Sequence, residues 1–92
     1  MRLHEVASLL GLKLEVEGHY HPDQDDRVSW TVRFTDVETL EGRCLTSICG
    51  HGTTPKAACR AYLKELNGKD LVSHAYYPDK RREFKLPAGV TP

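Results

Sequence analysis

The spacing of apolar positions predicts two helices, one near the start of the chain and one in its second half. In the first, apolar residues recur at the three- and four-residue intervals of an amphipathic helix, and Gly11 ends it. These residues are Leu3, Val6, Ala7 and Leu10. The second runs from Pro55 to Asn67 with no internal Gly or Pro. Thr53 or Thr54 can cap its first turn, and the Asn-Gly pair that follows can end it.

The second predicted helix has an apolar face and a basic face. Its apolar residues are Ala58, Cys59, Tyr62 and Leu66, with Ala61 at the edge. On the other side, Lys56, Arg60 and Lys64 follow one another at intervals of four residues. Such a stripe is either an ordinary solvated surface or a surface that faces an anion. The Gly50-His51-Gly52 segment is expected to form a tight turn, which would leave the positive end of the helix dipole open to a phosphate or carboxylate.

Strict alternation of apolar and polar residues predicts three strands between these helices, over residues 12–17, 28–35 and 43–49. The second strand is the clearest, and its sole Trp is expected in the core. The apolar side of that strand carries Val28, Trp30, Val32 and Phe34. Residues 18–26 are interpreted as a polar loop, and residues 36–42 as a turn.

After the second helix, the pattern predicts a hairpin formed by residues 71–77 and 82–86 around a turn at residues 78–80. Residues 87–92 are expected to be a frayed tail. The order α-β-β-β-α followed by a hairpin predicts a single α+β domain over residues 1–92. An antiparallel sheet with the helices packed on one face would bury the alternating residues.

Composition adds a charge asymmetry that the net charge of zero conceals. Residues 1–42 contain four Lys or Arg and nine Asp or Glu, whereas residues 43–92 contain nine and four. This predicts two oppositely charged surfaces unless folding interleaves the two halves. The chain shows neither the ~18-residue apolar run of a membrane span nor a signal-peptide pattern. The odd count of three cysteines argues against a disulfide framework and favours a reducing cytoplasm.

The sequence shows no motif for catalysis or for a cofactor. The spacing of Cys44, Cys49, His51 and Cys59 does not match a closed zinc site, and strand geometry sends Cys44 and Cys49 to opposite faces. Cys49 near His51 lacks an orienting carboxylate for nucleophilic catalysis. We therefore expect a protein that is not an enzyme and that uses no metal ion or cofactor.

The remaining polar residues are typical of a binding protein. Aromatic residues beside cations can stack on unpaired bases while the cations hold phosphates, and the same pairing is enriched at protein–protein hot spots. The sequence alone does not separate these two uses. The candidate basic and aromatic contact residues are Lys56, Arg60, Lys64, Lys69, Tyr76, Tyr77, Lys80, Arg81 and Arg82. The candidate acidic contact residues are Glu15, Glu17, Asp23, Asp25 and Asp26.

The predicted order of elements, with Gly50-x-Gly52-x-x-Pro55-Lys56 opening the last helix, resembles the double-stranded-RNA-binding domain fold. The resemblance implies that basic residues at the start of this helix clamp phosphates, and Lys56 and Arg60 match in type. The loop between the first two strands, which enters a minor groove in that family, carries the acidic residues 23–26 here and would repel a duplex. The chain also continues into a hairpin where that family normally stops. The resemblance therefore supports the fold more than duplex-RNA binding.

A second resemblance covers more of the chain. It rests on Gly50-His51-Gly52-x-Thr54-Pro55 with Ala58 and Tyr62, Gly68-Lys69-x-Leu71-Val72, Ala75-Tyr76, Arg81-Arg82-Glu83 and Leu86-Pro87. These motifs resemble a group of short accessory proteins of tailed phages, one branch of which inhibits type I-F CRISPR systems. The resemblance implies a non-catalytic anti-CRISPR inhibitor that acts in the cytoplasm of the infected bacterial host.

Such an inhibitor would dock on the crRNA-guided surveillance complex, at the Cas7 backbone or the Cas8–Cas5 tail, and stop target DNA from pairing. The acidic residues would then meet lysines that line the complex, and the basic residues would meet guide-RNA phosphates or bases. Two alternatives stay open. One is a nucleic-acid-binding module with the double-stranded-RNA-binding fold. The other is a small dimeric regulator of the antitoxin kind, in which a GxT-x-x-A helix opening also occurs.

Overall fold

A computed structural model describes residues 1–92 and confirms the predicted α+β class. Two helices and seven strands follow in the order α-β-β-β-β-β-α-β-β. The helices are α1 (Leu3–Leu10) and α2 (Pro55–Leu66). The strands are β1 (Leu14–His21), β2 (Arg27–Phe34), β3 (Val37–Glu41), β4 (Cys44–Thr46), β5 (Gly50–Gly52), β6 (Asp70–Ser73) and β7 (Arg82–Phe84).

The strands form two antiparallel sheets, one with the order β1-β2-β5 and one with the order β4-β3-β6-β7. The chain leaves the first sheet after Phe34 and turns at Asp36, whose φ of 58° lies in the left-handed region. It returns to the first sheet at Gly50. Because β5 pairs with β2 and β6 pairs with β3, α2 connects the two sheets.

The core lies between the helices and the face of the first sheet that carries Val32 and Phe34. Tyr62 of α2 is fully buried, its ring meets the Phe34 ring edge-on at 5.6 Å, and its hydroxyl accepts a hydrogen bond of 3.0 Å from the Phe34 N–H. One apolar cluster joins both helices and both sheets. Its buried members are Leu3, Val6, Ala7, Val32, Phe34, Val37, Ala58, Tyr62, Leu66 and Leu71.

Both predicted helices are confirmed, with their ends. Gly11 ends α1 at a φ of 67°. The Thr54 side chain caps α2 by accepting a hydrogen bond of 3.0 Å from the Ala57 N–H, and Pro55 takes the first helical position. Gly68, at a φ of 77°, follows the last turn.

The segment Gly50-His51-Gly52 was expected to be a tight turn, and that prediction is wrong because the segment is strand β5. Its backbone runs directly against α2. A Cβ on Gly50 would overlap the Ala58 carbonyl oxygen, and one on Gly52 would come within 2.6 Å of the Ala58 nitrogen. The glycines therefore serve close packing of a strand on a helix.

Two segments that were predicted as loops contain strands. Residues 18–21 extend β1, and only residues 22–26 form the turn to β2. Polar residues in this segment suggested a loop, but cross-strand pairing and the Trp30 ring, which covers Gly18, hold it extended. Residues 36–42 contain β3, in which Val37 and Thr39 are buried despite the flanking acidic residues. The predicted strand over residues 43–49 is divided accordingly between β4 and the approach to β5.

The C-terminal part also differs from expectation. Strand β6 ends at Ser73, so Tyr76 and Tyr77 lie in a loop before the confirmed turn at residues 78–80. Residues 87–92 are not frayed, because the Leu3 N–H donates to the Thr91 oxygen at 3.1 Å and the Thr91 N–H donates to the Met1 oxygen at 2.8 Å. Sequence alone gave no sign of this tie, since it joins the two ends of the chain.

Candidate functional site

The basic residues of α2 form an exposed stripe on the side of the helix that faces away from the sheet. Lys56, Arg60 and Lys64 are all exposed, whereas Ala58 and Tyr62, about half a turn away, are buried. None of these three cations takes part in an ion pair. This group, called the basic stripe below, presents three uncompensated positive charges to solvent.

A cavity of about 480 Å³ lies between α2 and the C-terminal segment. Arg60 and Lys64 of the basic stripe contribute to its wall, and Leu63, Leu86 and Val90 contribute apolar surface. Cations beside an apolar wall can hold an anionic group that is attached to an apolar or planar body. The sequence did not indicate this cavity, because it exists only when the C-terminal segment is held in place.

Lys69 does not belong to the basic stripe. Its ammonium lies 3.9 Å from Glu41 of β3 and 3.8 Å from Glu65 of α2, and its side chain is largely covered. The two carboxylates compensate its charge, so Lys69 joins the end of α2 to the second sheet. Unlike the cations of the basic stripe, Lys69 therefore has its charge compensated within the chain.

Residues 74–81 form an aromatic and basic loop, which we call the YY loop. The side chains of Tyr76 and Tyr77 are 77% and 56% exposed. The backbone of Tyr77 accepts hydrogen bonds from the N–H groups of Lys80 and Arg81, and the Arg81 guanidinium donates to the Ala75 oxygen at 3.4 Å. The loop is therefore ordered by its own hydrogen bonds while its aromatic rings stay accessible.

Arg82 is separated from Lys80 and Arg81 by its contacts. It begins β7, and its guanidinium donates a hydrogen bond to the Leu10 carbonyl at the end of α1. Helix C-termini leave carbonyl groups without intrahelical partners, and a guanidinium there satisfies one of them. Arg82 thus links the second sheet to α1, a contact that no local pattern in the sequence indicates.

The acidic residues of β1 lie on the face of the first sheet that is opposite to α2. Glu15 accepts a hydrogen bond of 2.9 Å from Arg33, which lowers the pKa of this carboxyl and raises the pKa of Arg33. Glu17 lies 3.8 Å from the imidazole of His19 on the same strand. Each of these two carboxylates therefore has a nitrogen-bearing side chain close to it, whereas the cations of the basic stripe have no partner of opposite charge.

Three aspartates gather at the far end of the β1–β2 hairpin. Asp25 and Asp26 adopt left-handed backbone angles, with φ of 58° and 55°, as the short turn requires. The Tyr20 hydroxyl donates to the Asp26 carboxylate, which raises the pKa of Tyr20. Asp23, Asp25 and Asp26 are exposed. We call them the acidic tip.

The structure thus separates the two predicted charged groups. The basic stripe lies on the outer side of the helix layer, whereas Glu15 and Glu17 lie on the outer side of the first sheet and the acidic tip ends its hairpin. The molecule extends over 45 × 26 × 21 Å. Folding does not interleave the basic stripe with these acidic residues.

Cys49 and His51 form the one cysteine–histidine contact of the structure. The Cys49 Sγ lies 3.1 Å from His51 Nε2, and His51 Nδ1 lies 3.5 Å from the Thr31 hydroxyl. The group that contacts the other ring nitrogen of His51 is therefore a hydroxyl and not a carboxylate. Burial raises the pKa of the Cys59 thiol. No group of three or more His, Cys, Asp or Glu residues is placed to hold a metal ion.

Comparisons with known proteins do not assign this chain to a family. No protein-family model, no curated protein and no solved structure matches the chain. Neither helix combines the length and the apolar character that crossing a membrane requires.

Proposed function

We propose that this protein is a non-catalytic binding protein that docks on a host nucleoprotein and blocks its function. The partner that fits the sequence motifs is the type I-F crRNA-guided surveillance complex, and the consequence of docking is that target DNA does not pair with the guide. The protein acts in the cytoplasm of the infected bacterial host. The observation that carries this proposal is the separation of an uncompensated basic surface from an acidic one.

A ribonucleoprotein offers both kinds of complementary charge. Its protein subunits present Lys and Arg where they hold nucleic acid, and its guide presents phosphates. The acidic tip can meet the cations, and the basic stripe can meet phosphates. Opposite charges across an interface steer association and select the partner more than they add affinity.

The YY loop supplies the aromatic part of such an interface. Tyr76 and Tyr77 are exposed, and the hydrogen bonds inside the loop fix its backbone before binding. Exposed tyrosines lose little conformational entropy when they pack, which explains their enrichment among hot-spot residues. The same rings can stack on unpaired guide bases. The proposed interface therefore includes both the guide RNA and the protein subunits of the complex.

A pull-down tests the proposal. Tagged protein is incubated with purified surveillance complex, with free guide RNA and with free duplex DNA, each at physiological salt. We expect retention of the complex and not of the free nucleic acids. If none of the three is retained, the proposal is contradicted.

Charge reversal identifies the surface that is used. Lys56→Glu with Arg60→Glu and Lys64→Glu reverses the basic stripe, and we expect at least about a tenfold loss of affinity for the complex. Arg43→Glu is the matched control for the single variant Arg60→Glu, since Arg43 is exposed in the turn between β3 and β4 of the other sheet. Equal losses for these two single variants would mean that net charge, and not the basic stripe, determines binding.

A nucleic-acid-binding module is the second candidate. The observation in its favour is the same basic stripe on a helix that covers a β1-β2-β5 sheet. The acidic tip opposes it, because that hairpin would approach the duplex phosphates. This candidate predicts binding of free RNA or DNA with an affinity that falls steeply as salt rises.

A further inference from the structure

Strand β1 is a long sheet edge whose outer side is unoccupied. It has eight residues and pairs only with β2. Outside that ladder, its one backbone hydrogen bond is the turn bond from the Gln24 N–H to the His21 oxygen. The other three sheet edges, β4, β5 and β7, have three residues each. β1 is therefore the one edge long enough to pair with a further strand over several residues.

This edge lacks most of the features by which proteins usually prevent edge pairing. It contains no Lys and no Pro. Its pairing with β2 runs without a bulge from Leu14 opposite Phe34 to His21 opposite Arg27. Short edges, charged side chains, prolines and bulges are the common protections. Of these, β1 has only the two glutamates, Glu15 and Glu17.

The two faces of β1 differ in chemistry. One face carries Val16, Gly18 and Tyr20, and the valine and tyrosine are 44% and 61% exposed. The other face carries Glu15, Glu17, His19 and His21, an acidic pair followed by an imidazole pair. Because the carboxylates come first and the imidazoles second, an antiparallel copy of this strand can place its imidazoles opposite the carboxylates.

We propose that β1 pairs with β1 of a second copy of this chain, antiparallel and centred on Gly18. The two three-stranded sheets then form one continuous six-stranded sheet around a two-fold axis. A two-fold axis perpendicular to the sheet keeps both apolar faces on the same side. In this register Val16 of one copy lies opposite Tyr20 of the other, and Gly18 lies opposite its own copy.

The charged residues select this register among its neighbours. With Gly18 at the centre, Glu17 faces His19 and Glu15 faces His21 across the new pair, and each contact occurs twice. A centre at Glu17 would place that carboxylate against itself, and a centre at His19 would place the imidazoles against each other. Opposite partners stabilise cross-strand pairs and like charges destabilise them. Neutral or protonated, histidine can donate an N–H to the carboxylate.

Sedimentation over a range of protein concentrations tests the proposal. We expect a species of two chains at high concentration. His19→Glu places a carboxylate opposite Glu17 and, because the two-fold axis repeats the change, should weaken the dimer about tenfold. The exchange Glu17→His with His19→Glu restores opposite pairs and should restore the dimer. A single-chain mass throughout overturns the proposal, as does equal dimerisation of the single variant and the exchange.

Hydrogen exchange provides a test that needs no substitution. Amides on the outer side of β1 should become protected as the concentration rises, while those of the short edges β4 and β7 should not change. Protection at β4 or β7 instead of β1 would overturn the assignment. The inference does not depend on the proposed function, since a pull-down that fails leaves the self-association measurement valid. The His19→Glu variant in the pull-down shows whether the single chain is the form that binds.

Discussion

Tyr62 shows how one polar atom is accommodated in the core. Its hydroxyl accepts a hydrogen bond from the Phe34 N–H, and no water is needed to satisfy that donor. Tyr62→Phe removes the acceptor and leaves the N–H buried and unpaired, which we expect to lower the free energy of unfolding by about 1–3 kcal/mol. Urea denaturation measures the change. Tyr76→Phe, at a position that is 77% exposed, is the matched control and should leave stability nearly unchanged.

Tyr62 should also make the folded protein less stable at alkaline pH. Burial raises the pKa of Tyr62 from its ordinary value of 10 to about 12. Between these values the unfolded chain loses the phenol proton and the folded chain keeps it. The free energy of unfolding should therefore fall as the pH rises from 10 towards 12. Denaturation midpoints across this range measure the effect, and a decline of the same slope in Tyr62→Phe would contradict the assignment.

The contact between β5 and α2 depends on the absence of side chains at Gly50 and Gly52. Gly50→Ala places a Cβ against the Ala58 carbonyl oxygen and the Tyr62 backbone, neither of which can move without shifting the helix. We expect a loss of stability of about 3 kcal/mol from this overpacking. Thermal or urea unfolding measures it. Gly68→Asn is the control, because that site has open space and a φ of 77° that Asn tolerates.

The two helices were predictable because their signals are local. The spacing of Leu3, Val6 and Ala7 and the Thr-Pro opening of α2 each lie within a few residues of the element that they specify. Strand β3 lacks such a signal, since it is short and carries Glu38 and Glu41 beside its buried residues. The outer half of β1 depends on partners in β2 that lie six to twelve residues away, among them the Trp30 ring over Gly18.

The candidate contact residues were predictable by type but not by partner. Exposure of Lys56, Arg60 and Lys64 follows from the helical period, which a sequence contains. The partners of Lys69 and Arg82 lie in β3, α2 and α1, and only the tertiary fold brings them together. The separation of the basic stripe from the acidic residues is likewise a property of the whole molecule, because it depends on which face of the first sheet α2 covers.

At the scale of the whole chain, the two ends are tied together beside α1. The Thr91 N–H donates to the Met1 oxygen at 2.8 Å, and Val90 packs against the core. Thr91→Pro removes this donor, so we expect a loss of about 1 kcal/mol in unfolding free energy and faster hydrogen exchange at the first amides of α1.

Thr91→Ala keeps the N–H and is the control for the side chain, which should matter little because it is exposed. The cavity between α2 and the C-terminal segment supplies a second readout. Since Val90 and Pro92 line it together with Arg60, releasing the end should open it and increase the mobility of the Arg60 side chain. If Thr91→Pro and Thr91→Ala match the wild type in both stability and exchange, the end of the chain contributes nothing to holding α1. In that case the cavity is not fixed by the backbone tie.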